Sequence, residues 1–459
     1  MSPTFGPTYR HHYKWPDLQR APVLFVLGIY FIFNCHLLRN LTPYYYAVLA
    51  VAFAAASIYS VSKMSQLTMT PIGIWLLGYL LFGLGAATQT AVDLGPESAA
   101  YAGLRLLMTF PLVAVVLLVS GIYPKLFEYS LWLFLGFTAA GVLSIILQYF
   151  TGPVSWFVEA SDRAGMERFG SLLGSIPTIG AAVPLGILLV LLIPMKPLLR
   201  ILMLMIMGAG ILSSLSKQAV SGSLLAVLLG LMLGRKKRIA LVGWIVAGCT
   251  LGYLLLDWLD IPLVESMRNY VTGILFPDVA GAETMRGYDF TVQESMWMRI
   301  SSLPMNSYDW LIEHRGPFGL VVGGGCVMLG PSLLRPGESH FFTAHNNYMD
   351  FVLLGGLGYL IVFVGLCISV IRESVHLYRS KASGGVGGVM LGIAVMYVTA
   401  SLFTGGLTYQ PALGTLWWTF VGFAWRSEVN RLMSSRMPMP SPLRFRPRPA
   451  GPKEVLTAR

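Results

Sequence analysis

The chain has 459 residues, of which 55% are hydrophobic and only 12% are charged, and its mean hydropathy is +0.67. Soluble globular proteins carry charge on about a quarter of their residues, so this composition excludes a soluble fold and predicts an all-α polytopic membrane protein. The net charge is +11, but the basic residues cluster in short segments between apolar runs. Such clustering indicates membrane topology and not a nucleic-acid partner.

Residues 1–20 are polar and rich in proline, so they lack the layout of a cleavable signal and are predicted to be a cytosolic N-terminal tail. A spanning helix needs about 20 mostly apolar residues, and by that length residues 21–257 hold nine transmembrane helices and residues 346–425 three more, about twelve in all. The predicted spans lie near residues 21–38, 43–61, 71–90, 99–120, 129–150, 171–194, 200–214, 219–234, 239–257, 346–371, 386–404 and 409–425.

The charge distribution orients these spans. With the N-terminus in the cytosol, most of the 32 lysines and arginines fall inside and most of the 21 acidic residues fall outside. Residues 258–345 then form one long loop on the outer, periplasmic side, and their mixture of aromatic residues and arginines predicts a folded segment. Residues 426–459 are predicted to be a basic cytosolic tail that anionic lipid attracts.

Two arginines stand at the outer surface just before the span near residues 171–194. Arg163 and Arg168 lie beside glycines, and a guanidinium pair offers the planar forks of donors that suit a diphosphate. The alternative is an interfacial role, in which the arginines reach lipid headgroups or pair with neighbouring acidic residues such as Asp162 and Glu167.

Two further cations are candidates on the same side. Lys217 ends a polar segment between two short apolar runs, where a lysine is costly unless it is paired or liganded. A simple turn with a lysine that reaches the interface explains it equally well. Arg299 lies on a predicted helical face of the long loop and precedes several glycines, although a surface ion pair with Glu294 or Glu313 would also account for it.

His345 opens the span near residues 346–371 and is followed by Asn346. An unperturbed imidazole titrates near pH ~6.5, so it can take a proton from a hydroxyl at neutral pH. A flanking asparagine can orient the ring. The alternative is a histidine at a helix N-terminus that lipid headgroups satisfy.

Four segments together resemble the family of bacterial O-antigen ligases and O-antigen or exopolysaccharide polymerases. In the first of them, His345, Asn346 and Tyr348 match a His-Asn-x-Tyr-Leu-like stretch that precedes a glycine-rich span. The chain departs from the family at Lys217, where arginine is usual, and at residues 175–176, where Pro-Asn is usual. The segments are AHNNYMDFVLLGGLGYL, RFGSLLGSIP, SLSKQAVSGSLLAVLLGL, and MWMRISSLP followed by GPFGLVVGGG.

This resemblance implies a lipid-carrier-dependent glycosyltransferase of the inner membrane, with both termini cytosolic and a metal-independent, cofactor-free site on the periplasmic face. The donor would be a glycan on undecaprenyl diphosphate. The acceptor would be another carrier-linked glycan for a polymerase, which we favour, or lipid A core for an O-antigen ligase. A flippase and a chain-length regulator are the expected protein partners. The implied catalytic residues are His345, Arg299 and Arg168, and the implied substrate-binding residues are Arg163, Lys217, Asn346 and Tyr348.

A lipid or polysaccharide flippase is the alternative of a different class, since twelve spans and the intramembrane Arg105 would also suit a transporter. Two features count against it. The chain shows no internal repeat, and its ionisable residues concentrate at one membrane face, leaving the midplane nearly empty.

Overall fold

The computed structural model describes residues 70–107, 109–122, 125–154, 161–163, 166–214, 216–234, 239–258, 301–329, 344–380, 385–409 and 411–436. This part of the chain is a bundle of α-helices with one antiparallel hairpin, formed by β1 (Ser161–Arg163) and β2 (Met166–Arg168). The helices are α1 (Pro71–Leu94), α2 (Pro96–Leu107), α3 (Leu112–Ile122), α4 (Leu126–Thr151), α5 (Ile176–Leu192), α6 (Pro197–Ser213), α7 (Lys217–Leu233), α8 (Ile239–Trp258), α9 (Leu303–Arg315), α10 (Gly319–Val322), α11 (Asn347–Arg379), α12 (Val386–Ala400) and α13 (Pro411–Arg436).

Among these residues, α1, α4 and α11 are long and apolar enough to cross a membrane. Helices α5, α6 and α12 and most of α7 are apolar but shorter. These lengths are consistent with the predicted membrane protein. The two predicted spans that precede residue 70 lie outside the described residues, as does the N-terminal tail at residues 1–20.

Helix α1 shows how local sequence sets a helix boundary. Thr70 is its N-cap, and the Thr70 Oγ1 atom accepts a hydrogen bond from the Gly73 amide at 3.1 Å. Pro71 suits the first helical position because the amide there has no partner within the helix. The helix ends at Gly95, whose φ of +91° is costly for any residue with a side chain.

Helix α5 lies at the centre of its half of the bundle. Every residue of α5 from Thr178 to Leu191 is buried, because α4, α6, α7 and α12 pack around it. Two glycines of α7 let that helix approach closely. A Cβ atom at Gly222 would lie 2.8 Å from Pro184, and one at Gly230 would lie 2.5 Å from Leu191, as expected where small residues bring membrane helices together.

Aromatic side chains join α1, α11 and α13 in the other half. The ring of Tyr79 packs against those of Phe110, Phe351, Tyr359 and Trp418, with centroid distances between 4.7 and 5.8 Å. Such edge and stacked pairs add about 0.5–1.5 kcal/mol each beyond the area they bury. This cluster fixes α11 on α1.

Helix α11 is broken near its N-terminal end. Its backbone leaves the helical conformation at a pair of glycines, and Gly356 has φ +71° and ψ −170°. The amides of Gly324 and Gly325 donate hydrogen bonds to the carbonyls of Leu353 and Leu354, with N···O distances of 2.6 and 3.2 Å. The segment after α10 therefore satisfies carbonyl groups that the break leaves without helical partners.

The structure corrects two of the predicted boundaries. The predicted span at 99–120 is divided into α2 and α3 by a turn that contains Pro111, whose missing amide prevents a continuous helical ladder. Arg105, which the hydropathy pattern places deep in that span, therefore lies in the last turn of α2. The predicted span at 409–425 continues as helix α13 to Arg436, so the first part of the predicted basic tail is helical.

The predicted long loop at 258–345 is described only from Ser301 to Leu329 and at its end. There it contains α9, α10 and a 3₁₀ turn at Cys326–Leu329. The Cys326 amide donates a hydrogen bond to Thr90 Oγ1 of α1 at 2.9 Å. This part of the predicted loop therefore packs between α1 and α11.

Polar side chains tie together the C-terminal ends of α11 and α13. The carboxylate of Glu373, 2% exposed, accepts two hydrogen bonds from Arg431, at 3.1 and 3.0 Å, and one from Ser427 Oγ at 2.7 Å. In the same part of α13, between Ser427 and Arg431, the Glu428 Oε2 atom accepts a hydrogen bond from the Ile72 amide at 3.1 Å. The last described helix thus holds the first turn of α1.

Candidate functional site

The candidate site is built around the start of α11. Asn346 is the N-cap of this helix, and its Oδ1 atom accepts hydrogen bonds from the amides of Tyr348 and Met349 at 3.0 and 3.2 Å. Its Nδ2 atom donates to the Leu402 carbonyl at 3.2 Å. One asparagine therefore starts the helix and also ties it to the segment that follows α12.

We name residues 398–409 the α12 turn segment, since it covers the end of α12 and the turns before α13. Three more hydrogen bonds join it to α11. The Asn347 amide donates to the Ser401 carbonyl at 2.8 Å, and Asn347 Nδ2 donates to Ser401 Oγ at 3.5 Å. The Tyr348 hydroxyl donates to the Val398 carbonyl at 2.9 Å. The first turn of α11 is therefore held against the α12 turn segment by both backbone and side-chain groups.

His345 lies directly before this first turn of α11, and it is exposed. Its φ is +49°, and it is the one non-glycine residue with positive φ in the part of the chain that the structure describes. Such a conformation costs of order 1–3 kcal/mol and persists where the surroundings impose it. The residue before it, Ala344, is fully buried. An exposed imidazole on a fixed, strained backbone is the arrangement expected of a functional histidine.

Asp350 lies one turn further along α11, and its residue is only 1% exposed. Its Oδ2 atom accepts a hydrogen bond from the Tyr409 hydroxyl at 3.2 Å, and the amides of Ala344 and Gly406 also interact with the carboxylate. A tyrosine hydroxyl carries its proton at neutral pH, so Tyr409 is the donor in this contact.

Lys217 is the first residue of α7. This helix starts beside the start of α5, because a Cβ atom at Gly180 would lie 2.5 Å from Ser216 Oγ. Neither N-cap serine, Ser175 of α5 or Ser216 of α7, caps its helix with a side-chain hydrogen bond. The first amides of both helices therefore lack the side-chain acceptor that Asn346 supplies in α11.

A small cavity separates these helix starts from the α12 turn segment. Its volume is about 20 Å³, enough for about one water molecule and too small for a sugar. Gln218, Tyr397, Ala400 and Leu407 are among its lining residues. The Gln218 Nε2 atom is buried and has no hydrogen-bond partner within the described residues. The cavity shows that α7 and the α12 turn segment meet at this end of the bundle.

Arg163 and Arg168 lie on the hairpin that precedes α5. Ser161 pairs with Arg168 and Arg163 pairs with Met166. Because residues alternate between the two faces of a strand pair, positions 163 and 168 fall on one face of the hairpin. Positions 162 and 167, which are acidic, fall on the other face.

Chain direction and packing place these features at one end of the bundle. The hairpin leads into the start of α5, α7 starts beside α5, and the end of α12 contacts the starts of both α7 and α11. The predicted site residues His345, Asn346, Tyr348, Lys217, Arg163 and Arg168 therefore belong to segments that meet at this end. Arg299 lies outside the described residues, and so does most of the loop around it.

Sequence reasoning missed the residues that support His345. Asp350 and Tyr409 are joined across 59 residues, and Ser401 and Leu402 bind asparagines more than 50 residues away. A polar, glycine-containing stretch between two apolar spans was the available signal. It indicates a turn, but it does not say which helix the turn meets.

Comparison of the chain with known protein families and with characterised proteins gave no match. An imidazole can accept a proton, and helix starts and cations favour an anion.

Proposed function

We propose that the protein is a membrane glycosyltransferase that moves a glycan from undecaprenyl diphosphate to an acceptor glycan. The reaction takes place on the periplasmic face of the bacterial inner membrane. The observation that carries the proposal is His345, an exposed imidazole held at φ +49° at the start of an apolar helix. The four segments that resemble the O-antigen ligase and polymerase family supply the substrate class.

In this mechanism His345 removes the proton from a hydroxyl of the acceptor sugar. The hydroxyl oxygen attacks the anomeric carbon of the donor glycan, and the bond from that carbon to the diphosphate oxygen breaks with its electron pair. The products are a lengthened glycan and undecaprenyl diphosphate. A single displacement of this kind inverts the anomeric configuration.

Negative charge grows on the leaving diphosphate oxygen, so fixed positive groups nearby lower the barrier. Arg168 and Arg299 are the proposed catalytic cations, and Arg163 and Lys217 the proposed diphosphate-binding ones. The starts of α5 and α7 add amides and the positive ends of two helix dipoles at the same end of the bundle. Asn346 and Tyr348 position the His345 backbone and contact the glycan.

We favour a polymerase, whose acceptor is a second carrier-linked glycan, over a ligase, whose acceptor is lipid A core. Both share the donor chemistry and differ only in the acceptor. The decisive assay supplies purified protein in liposomes with labelled donor and each acceptor in turn. A polymerase lengthens the carrier-linked glycan without lipid A core.

The same assay separates the enzyme from a flippase. A glycosyltransferase forms a new glycosidic bond and releases undecaprenyl diphosphate, and a chelator leaves its rate unchanged if the reaction is metal-independent. A flippase moves the donor between leaflets and returns it intact. Movement of the donor without any new glycosidic bond would therefore overturn the proposal.

A further inference from the structure

Burial of Asp350 is unfavourable in free energy if its side chain serves only to fill space in the bundle. Its residue is 1% exposed, and taking a carboxylate out of water costs several kcal/mol unless other groups compensate. One oxygen, Oδ2, accepts a hydrogen bond from Tyr409. The other, Oδ1, has no hydrogen-bond partner among the described residues. Replacing a buried charged group by an apolar residue of similar volume is often neutral or stabilising, so packing alone does not account for an aspartate at this position.

The groups around Asp350 belong to two segments that are distant in the sequence. The Ala344 amide, which interacts with the carboxylate, is next to His345, and the Gly406 amide and the Tyr409 hydroxyl belong to the α12 turn segment. Asp350 thus lies between the backbone that carries His345 and the turn that supports it.

Two glycines adapt the α12 turn segment to this carboxylate. A Cβ atom at Gly405 would lie 2.4 Å from Asp350 Oδ2, closer than any real side chain approaches. The next residue, Gly406, has φ +73°, which a side chain disfavours. The turn therefore approaches the carboxylate with its backbone, and this contact leaves little freedom for either partner.

We propose that Asp350 is a positioning residue for His345, which fixes the strained turn before α11 by joining it to Gly405, Gly406 and Tyr409. The proposal rests on the function proposed above, because it assigns His345 the proton transfer. Asp350 touches neither substrate nor reacting atoms. It acts by holding the imidazole where the acceptor hydroxyl arrives, and a displacement of about 1 Å can cost 10²-fold in rate.

The test is a double-mutant cycle on transfer by the purified, folded protein. Asp350→Leu should lower kcat by about tenfold or more, with little change in the KM for the carrier-linked donor. In the His345→Ala background the same substitution should cause no further loss, since residues that act through one another are not additive. Asp350→Asn keeps an oxygen that can accept from Tyr409 and should recover part of the rate.

Tyr409→Phe provides a second variant in case Asp350→Leu does not fold. It removes one hydroxyl and leaves the ring, so its effect on kcat should be smaller and should also vanish in the His345→Ala background. Glu373→Gln is the matched control, because Glu373 is an equally buried carboxylate at the other end of the same helix. Its kcat should equal that of the wild type.

The proposal is overturned if the losses from Asp350→Leu and His345→Ala multiply, or if folded Asp350→Leu and Tyr409→Phe keep the wild-type kcat. A separate readout covers failure of the proposed function. With its four native cysteines replaced, the chain carrying His345→Cys is labelled with a membrane-impermeant maleimide. Addition of Tyr409→Phe or Asp350→Leu should change the labelling rate several-fold, and Glu373→Gln should not. Unchanged rates would refute the positioning role even in a protein that transfers no glycan.

Discussion

The Gly324 amide donates a hydrogen bond to the Leu353 carbonyl at 2.6 Å, across 29 residues of chain. Helix α11 cannot satisfy that carbonyl itself because its backbone leaves the helical conformation shortly afterwards. Non-helical backbone is tolerated inside an apolar membrane helix only where protein or water meets its polar groups. The glycine segment after α10 is thus a structural part of α11.

Gly356→Ala should unfold this junction. A Cβ atom at Gly356 would lie 2.2 Å from the Val321 carbonyl oxygen, and the φ of +71° adds strain of about 1–3 kcal/mol. Thermal unfolding in detergent should show a large loss of stability or no folded protein. Gly85→Ala is the control, since a Cβ atom there would meet nothing within 4 Å outside the adjacent backbone of its own helix. Its free energy of unfolding should be unchanged or higher by the difference in helix propensity, about 0.5–1 kcal/mol, and its Tm should not fall. Equal stability of the two variants would contradict the close contact.

Two substitutions at His345 distinguish the effect of its backbone conformation from the effect of its imidazole. His345→Gly relieves the positive φ and should fold at least as stably as the wild type, whereas His345→Ala keeps the strain. Both variants lose the base, so transfer should fall by about 10²–10⁴ while the carrier-linked donor still binds. The wild-type rate should also decline as the pH falls, because a protonated imidazole cannot act as the base. Near-normal transfer by either variant would return His345 to a purely structural role.

The arginine hypothesis predicts that Arg168→Ala and Arg299→Ala each abolish transfer while the protein remains folded in the membrane. Arg168→Lys should recover little, because a lysine is a point charge without the planar fork. Arg372→Ala makes a matched control, since Arg372 lies exposed near the other end of α11. Transfer assays with equal amounts of folded protein test this. Activity in either site variant would exclude that arginine.

Topology can be checked with single cysteines in a cysteine-free chain. Ala240→Cys follows the basic run at 235–238 and Phe290→Cys lies in the predicted long loop. A membrane-impermeant maleimide added to intact cells should label position 290 and leave position 240 unlabelled until the membrane is opened. Labelling of both positions from the same side would rule out the topology.

Apolar length predicted most of the described helices correctly. The run near 129–150 is α4, Leu126–Thr151, and the run near 239–257 is α8, Ile239–Trp258. Length alone failed where a single residue decides the backbone. Pro111 divides one run into α2 and α3 although the run is apolar on average on both sides of it. The break in α11 was hidden for the same reason, because a pair of glycines is neutral in an apolar pattern.

Only some residues of the candidate site could likewise be predicted from the sequence. His345 and Asn346 could be recognised from the sequence because they are adjacent and open an apolar run. Their support could not be recognised, because Tyr409 and Ser401 come from a turn more than 50 residues further on. Hydropathy contains no information on which turn meets which helix.

The bond between the Ile72 amide and Glu428 also bears on the order of biosynthesis. More than 350 residues separate the two partners, so the first turn of α1 leaves the ribosome long before its acceptor exists. During that interval water or lipid headgroups are the available partners of this amide, and α13 supplies Glu428 only after more than 350 further residues have been synthesised. A chain truncated before Glu428 would lack the acceptor for the Ile72 amide, and cellular quality control would then meet an α1 whose first turn has lost this contact.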